Sequence, residues 1–204
     1  NKGQIVLSIK TKNMFDVLII GGGVSGVSCA LILGSAKPKP FAIDKKIGII
    51  THQKSCSLQN AVFNNAYGIS PGKLGSELLI ESLEHLQKLY PHVEQISGEK
   101  VLEIRGEVGN FTLITNKNSY KTKLVAVGIG ASNPFCIEGL AEFVISHKKA
   151  APEKNRLQLQ NEDHLVKEGV YAMGTLAGHR SQLSIAAGSG ASVATDILSL
   201  WNEG

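Results

Sequence analysis

The alternation of apolar and polar positions divides the chain into segments of two periods. Residues 15–20, FDVLII, form an almost unbroken apolar run, which is typical of a strand buried on both faces. Small apolar residues at 27–33 predict a helix, and residues 40–44, PFAID, predict a second strand. Residues 47–73 mix short apolar pieces with Asn, Gln, Ser and Gly, which indicates a long ordered loop.

The second half of the chain begins with a helical stripe of leucines at 75–89, ended by Pro91. Period-two alternation then covers residues 93–104, 109–115 and 119–130, which predicts a meander of three antiparallel strands. Residues 169–174 predict another buried strand. A long helix should follow from about Gln182 to Trp201, with Ser181 as its N-cap.

These elements predict an α/β fold, a Rossmann-like three-layer domain in which a parallel sheet carries a small antiparallel three-stranded meander. We expect the meander to lie over the helix side of the sheet. Residues 14–204 should form this single domain, and residues 1–13 are interpreted as an extension or a cloning remnant ahead of Met14.

The glycines after the first apolar run carry the main chemical signal. Gly21, Gly23 and Gly26 fill a G-x-G-x-x-G pattern between a predicted strand and a predicted helix. Such a turn lets a diphosphate approach the backbone and the positive N-terminal end of the helix. Asp44, 23 positions after Gly21 at the end of PFAID, fits the acid that holds a ribose hydroxyl. The pattern therefore predicts dinucleotide binding.

Composition excludes several other classes of protein. The net charge of +4, the 5% aromatic content and the absence of a long basic run argue against a nucleic-acid surface. No apolar run in the sequence reaches the ~20 residues of a membrane span, and residues 1–13 lack the pattern of a secretory signal. The three cysteines are widely spaced, without C-x-x-C or metal-ligand spacing, so we expect a reducing, cytoplasmic compartment and no metal.

Four blocks in order resemble the thioredoxin-reductase-like FAD-dependent (pyridine nucleotide-disulfide) oxidoreductase family. They are DVLIIGGGVSG at 16–26, FNNAYGISPGKLGSELL at 63–79, the meander running into VAVGIGA at 125–131, and GVYAMGTLAG with SQLSIAAGSGA at 169–191. The resemblance covers nearly the whole chain from Met14 to Trp201 and implies the FAD domain of that family. FAD is then the implied cofactor.

The resemblance also implies contacts for individual residues. Gly21, Gly23, Val24, Ser25 and Gly26 would meet the diphosphate, Asp44 the ribose, and Lys45 and Lys46 the adenosine. Asn65 would approach the flavin, and Gly130 would lie by the cofactor. Apart from the resemblance, Arg180 stands just before the last helix and is a candidate to neutralise the flavin or a phosphate, the alternative being a surface salt bridge. The flavin and ribityl side would be lined by Gly174, Thr175, Ser181, Gln182 and Leu183.

Two departures from the family limit what carries over. The family ends its C-terminal strand in Gly-Asp, whereas this chain has Gly174-Thr175, so a charge-assisted hydrogen bond to the flavin's sugar-alcohol chain is lost. Only about 40 residues separate Gly130 from Val170, too few for the inserted NADPH domain that also carries the redox C-x-x-C. The chain alone is therefore not predicted to reduce thioredoxin by the usual route.

Two functions remain open on the sequence. One is an FAD oxidoreductase supplied with electrons by an unknown small-molecule or protein donor; the other is a non-catalytic flavin- or nucleotide-binding subunit. A homodimer is possible for either. Catalytic residues are unassigned, with Cys56 as a redox thiol and His52 as a proton donor the candidates. The histidines at 85, 92, 147 and 164 are predicted to lie at the surface. A plain NAD(P)-dependent dehydrogenase is disfavoured, since no catalytic Tyr/Lys or His/Asp set is visible.

Overall fold

The computed structural model describes residues 14–52 and 58–204, so Cys56 and residues 1–13 lie outside the described part of the chain. The helices are α1 (Val24–Ser35), α2 (Gly75–Leu89) and α3 (Leu183–Glu203). The strands are β1 (Phe15–Ile20), β2 (Ile47–Thr51), β3 (Val62–Phe63), β4 (Lys73–Leu74), β5 (Glu94–Ser97), β6 (Val101–Arg105), β7 (Phe111–Thr115), β8 (Ser119–Val127), β9 (Val144–Ser146), β10 (Leu157–Leu159), β11 (Leu165–Lys167) and β12 (Val170–Ala172). Short 3₁₀ helices cover Ala141–Phe143, Pro152–Lys154 and Gly174–Ala177.

The central sheet is built around β1, all six residues of which are buried. Five parallel strands lie in the order β5-β2-β1-β8-β12, and β11 adds an antiparallel edge. The long strand β8 belongs to two layers, because its first residues pair antiparallel with β7 and its last residues pair parallel with β1 and β12. The predicted meander is therefore confirmed as β6-β7-β8, while the start of the predicted first meander strand is β5 of the parallel sheet.

Three layers result from the two apolar faces of β1. Val17 and Ile19 point into a core shared with α1 and α3, whereas Leu18 and Ile20 point into a core shared with the meander. Successive strand residues face opposite sides, so two covering layers are needed to bury both sets. The α/β three-layer fold is confirmed. The expectation that the meander lies on the helix side is wrong, since the helices already occupy that face.

The second strand lies later in the chain than the sequence pattern predicted. Residues 47–51, IGIIT, form β2 and are all buried, with Val17 opposite Ile47 and Ile20 opposite Ile50. The predicted strand at 40–44 is instead part of a run of turns. The reason is burial: the uninterrupted apolar run of β2 fits a central strand, whereas a proline at the start of PFAID and a charge at its end suit the surface.

α3 packs against α1 through small residues. A Cβ at Gly190 would lie 2.0 Å from the carbonyl oxygen of Ser25, and the Ser28 hydroxyl donates to the carbonyl of Ala187 at 2.8 Å. The 21 residues of α3, close to the predicted helix from Gln182 to Trp201, are by length and composition apolar enough to cross a membrane, with a mean hydropathy of 1.3. Because its buried face contacts α1, we interpret α3 as a core helix of the domain.

Matched glycine substitutions on α3 test this contact. Gly188 has nothing within 4 Å of a built Cβ, so Gly188→Ala should raise the free energy of unfolding by about 0.5–1 kcal/mol through helix propensity. Gly190→Ala should lower it by about 2–3 kcal/mol, because the two helices must separate. Urea denaturation measures both. Equal effects of the two variants would contradict the backbone contact.

A buried carboxylate joins the parallel sheet to the meander. Glu99 lies in the connection between β5 and β6 and is 7% exposed. It accepts hydrogen bonds from the Thr115 hydroxyl at 2.6 Å, the Asn118 amide at 2.7 Å and the Tyr120 hydroxyl at 2.9 Å. Burial by itself would raise the pKa of Glu99, but these three donors outweigh it and hold the pKa below its usual value. Burial and the neighbouring Glu99 raise the pKa of Tyr120 to about 12.

Glu99→Gln should therefore destabilise the protein in a pH-dependent way. A depressed carboxyl pKa contributes stability above the ordinary value of about 4.3, and this contribution is lost as the pH falls through the lowered folded pKa. We expect a loss of about 1–3 kcal/mol at neutral pH that shrinks in acid. Denaturant titrations across pH measure it, with the exposed Glu107→Gln as control. A pH-independent loss would show that the charge of Glu99 is not its source.

Candidate functional site

A large cleft of about 1000 Å³ opens at the carboxyl ends of β1 and β8. This is the edge where parallel strands of open α/β sheets present their loops to ligands. Most of the residues predicted for the cofactor line it. They are Gly21, Gly23, Val24, Ser25, Gly130, Gly174, Thr175, Ser181, Gln182 and Leu183.

The glycine turn forms one end of the cleft and is packed backbone against backbone. Gly21 has φ +114°, and a Cβ there would lie 2.5 Å from the carbonyl oxygen of Gly128. A Cβ at Gly26 would lie 1.9 Å from the carbonyl oxygen of Gly21, which presses α1 onto the turn. The α1 N-terminus has Gly23 as N-cap, no side-chain cap and no acid in its first turn. Its positive end is therefore suited to an anion.

The N-terminus of α3 opens into the same cleft. Gln182 is the N-cap and accepts a hydrogen bond from the Ile185 amide at 3.0 Å, so the predicted cap at Ser181 is wrong by one residue. The first turn of α3 carries no acidic residue. Two positive helix ends thus face one cavity, an arrangement that favours a ligand with negative charge at two places.

The 3₁₀ turn Gly174–Ala177 lies between these helix ends. Gly174 has φ +63° and donates its amide to the Ser189 hydroxyl of α3 at 2.8 Å. A Cβ at Gly174 would lie 3.0 Å from Ser25 Oγ, so the turn also touches α1. Thr175 follows directly and lines the cleft with a neutral side chain.

Asp44, Lys45 and Lys46 lie at the opposite edge of the sheet, so their prediction as ribose and adenosine contacts is wrong. The Lys46 amide donates to Asp16 Oδ2 at 2.8 Å, and the Lys46 ammonium lies 4.1 Å from the centre of the Phe15 ring. Both partners stand at the start of β1, whereas the glycine turn follows its end. Because β2 begins after Asp44, the residue that follows its carboxyl end is His52, which does line the cleft.

Three further predicted residues lie outside the cleft lining. Gly26 is buried beneath the glycine turn, where it serves close packing. Asn65 is exposed in the loop before β4. Arg180 is exposed, and its guanidinium donates to the carbonyl of Lys149 at 3.4 Å.

The cysteines differ in their surroundings. Cys29 is fully buried in α1, and burial raises the pKa of its thiol, which makes it an inert packing residue. Cys136 is exposed at the rim of the cleft, with Sγ 3.4 Å from the carbonyl of Pro134. Within residues 14–52 and 58–204, no three His, Cys, Asp or Glu side chains converge as a metal ion would require.

A pair of histidines supports the Gly174 turn. His164 Nε2 lies 3.1 Å from His179 Nε2 and 3.0 Å from the Ser189 hydroxyl that accepts the Gly174 amide. Burial lowers the pKa of His179, and the neighbouring His164, Lys149 and His147 lower it further. The expectation that His147 and His164 are simple surface residues is wrong: His147 is buried and its Nε2 lies 3.2 Å from the carbonyl of His179.

The sequence interpretation missed the basic residues of the cleft. Lys100 enters it from the β5–β6 connection, and Lys154 and Arg156 enter it from the β9–β10 hairpin. No motif links these positions, because more than 50 residues of chain separate Lys100 from Lys154 and Arg156. Only the fold brings them into one cavity.

Solved structures with the same fold confirm this architecture. An oxidoreductase from Agrobacterium tumefaciens aligns with a TM-score of 0.69 at 13% identity, spanning 91% of this chain and 98% of that one. A ferredoxin-flavin thioredoxin reductase from Clostridium acetobutylicum aligns at 0.68 and 17% identity, spanning 94% and 99%. Thioredoxin reductase from Lactococcus lactis aligns at 0.68 and 13%, spanning 93% and 99%. At these identities the likeness concerns the fold.

The family itself is shown by the sequence profile. A comparison with curated proteins finds no significant match. The profile described as pyridine nucleotide-disulphide oxidoreductase matches residues 15–170, from the first residue of β1 to the first residue of β12. That region contains the glycine turn, the meander and the β9–β10 hairpin. The chain therefore belongs to the pyridine nucleotide-disulphide oxidoreductase family.

Proposed function

We propose that the protein is an FAD-dependent oxidoreductase that receives electrons from an external donor. The observation that carries the proposal is the single cleft that joins the glycine turn, the end of β8 and the N-terminus of α3. A dinucleotide needs an anion site for its diphosphate and a second polar site for its reactive ring, and the two helix ends supply both. Membership of the family supports the flavin as that ring system.

The residues present fit such a cofactor at three places. The backbone of Gly21–Ser25 would hold the diphosphate, since the glycine turn offers a surface without side chains at Gly21 and Gly23. Thr175 would donate or accept one hydrogen bond to the ribityl chain. Ser181, Gln182 and Leu183 would face the pyrimidine edge of the ring. When bound, the flavin would supply reversible two-electron transfer.

The protein's own contribution is electrostatic. The α3 N-terminus, where Gln182 caps the Ile185 amide, brings a positive dipole end to the cleft, with no acid in the first turn to cancel it. The turn at Gly174 is held by Ser189, and Ser189 in turn by His164, so the backbone beside Thr175 is fixed from behind. Such preorganised dipoles favour negative charge on a bound ring without further rearrangement.

The electron donor would come from outside the chain. Between Gly130 and Val170 the chain forms the β9–β10 hairpin, two 3₁₀ turns and β11, which leaves no room in that segment for a second nucleotide-binding unit. A free reduced nicotinamide nucleotide or a protein donor would fill this role.

The second candidate function is a flavin-binding subunit without turnover. Two observations favour it: Thr175 lacks the charge of a carboxylate, and His52 stands where an acid would hold the ribose. Both changes remove charge-assisted hydrogen bonds, each worth about 1.5–3 kcal/mol. The subunit would bind the cofactor weakly and transmit its presence to a partner.

The visible spectrum of the purified protein tests both candidates. A yellow protein that releases FAD on denaturation supports flavin binding, whereas a colourless protein that cannot be reconstituted with FAD overturns both. Anaerobic mixing with NADH, NADPH or reduced ferredoxin then separates them. Bleaching of the flavin followed by turnover with an added acceptor is required only by the enzyme.

Paired substitutions test where the nucleotide lies. Asp44→Asn should leave the FAD dissociation constant within about twofold, since exposed residues away from a site contribute about 0.5 kcal/mol or less. Thr175→Val keeps the shape but removes the hydroxyl, and should weaken FAD about 3- to 10-fold. Fluorescence titration measures both, with thermal denaturation to check folding. A larger effect of Asp44→Asn than of Thr175→Val would contradict the proposed site, because it would place the nucleotide near the start of β1 and not in the cleft at its carboxyl end.

A further inference from the structure

The β9–β10 hairpin contributes a basic part of the cleft wall that the cofactor contacts proposed above do not use. Lys154, Asn155 and Arg156 line the cleft from the end of this hairpin, and Lys100 lines it from the β5–β6 connection. Lys100 and Lys154 are exposed, whereas Arg156 is partly buried. Arg156 is therefore the cation whose position the fold determines most closely.

The backbone of Arg156 is held on both sides. Its carbonyl accepts a hydrogen bond from the His147 amide at 2.9 Å, and the next amide, Leu157, donates to the carbonyl of Ala131 at 3.2 Å. Ala131 follows Gly130 in the loop after β8. Two residues beyond Arg156, the Gln158 side chain packs on the turn that begins at Gly174, since a Cβ at Gly178 would lie 2.7 Å from Gln158 Nε2. Arg156 thus lies between the β8 loop and that turn.

The guanidinium of Arg156 has no anionic partner in the described part of the chain. None of the ion pairs or side-chain hydrogen bonds among residues 14–52 and 58–204 involves it. Glu99 is the acidic residue in the described lining of the cleft, and its oxygens already accept from Thr115, Asn118 and Tyr120. The described lining therefore holds one carboxylate and three cations, Lys100, Lys154 and Arg156, and its net charge is positive.

A partly buried cation without a counter-ion costs desolvation free energy that a bound anion would recover. The planar guanidinium donates in a fork that matches phosphate and carboxylate, whereas lysines add attraction at longer range. The diphosphate of the proposed cofactor already has the glycine turn and the α1 N-terminus. A second, separate anion is then the ligand that this wall fits.

We propose that Arg156, with Lys154 and Lys100 in the same cleft lining, binds a phosphate or carboxylate group of the substrate, so that the substrate of this site is an anion. The inference deepens the proposed function and rests on it for the flavin beside the site. The same oxyanion chemistry has one other source, the diphosphate of the cofactor itself, and the test separates the two.

The test uses the FAD-loaded protein and inorganic pyrophosphate as the probe, measured by calorimetry and by the shift of the flavin spectrum. Arg156→Gln should weaken pyrophosphate binding about 10- to 100-fold, the loss expected for hydrogen bonds to a charged group. Arg156→Lys should restore part of it, because it keeps the charge and loses the fork. Arg105→Gln, an exposed arginine paired with Glu103 on β6, is the matched control and should leave binding unchanged.

FAD titrations of the same variants identify the source of the anion. Unchanged FAD affinity in Arg156→Gln with lost pyrophosphate binding supports the substrate assignment. Weakened FAD affinity with no pyrophosphate site on the loaded protein assigns Arg156 to the cofactor and overturns the substrate class. Variants that match wild type in both titrations overturn the inference entirely. If wild type binds no flavin, the proposed function fails by itself, and pyrophosphate titration of the flavin-free protein still compares Arg156→Gln with Arg105→Gln.

Discussion

The cleft depends on three places where backbone meets backbone with no side chain between. Gly21 lies against Gly128, Gly26 against Gly21, and Gly190 against Ser25, and at each a Cβ would approach a carbonyl oxygen to 2.5 Å or less. These contacts set the distance between the end of β1, the end of β8 and the two long helices. A side chain at any of them would separate the helix N-termini from the sheet edge. The geometry of the cleft thus depends on glycines, because the backbones can approach this closely only where no Cβ lies between them. Burial of apolar side chains alone would not bring them so close.

Sequence patterns predicted the elements whose signals are local. The bounds of α2 agree with the leucine stripe at 75–89, and the glycine turn lies between β1 and α1 as its spacing requires. An acid at the expected distance from Gly21 predicts the second strand at PFAID, but IGIIT, which begins three residues after Asp44, is the buried strand. Strand register depends on which apolar run fits beside β1, and that choice is made by tertiary contacts.

Site residues that belong to a contiguous motif could be predicted from the sequence. Residues that the fold brings together from separate elements could not. Lys100, Arg156 and the His164–His179 pair meet the cleft or its supporting turn from separate elements, and each belongs to an otherwise ordinary stretch of sequence. The sequence likewise could not predict which face of the sheet the meander covers. Both faces of β1 are apolar, so its sequence does not say which layer takes which face.

The charge balance of the cleft connects these missed residues to the departures from the family. Thr175 is neutral, His52 follows β2 where an acid was expected, and Glu99 is saturated by its own donors, while Arg156 and two lysines face the cavity. The two missing acids and the three cations all make the potential in the cleft more positive. One carboxylate, Glu99, opposes these three cations and the two helix N-termini in the described lining, so a net positive charge remains for a ligand to balance. The diphosphate of the proposed cofactor would balance the charge at the glycine turn, and the remaining positive charge is the reason that we propose an anion as the second ligand.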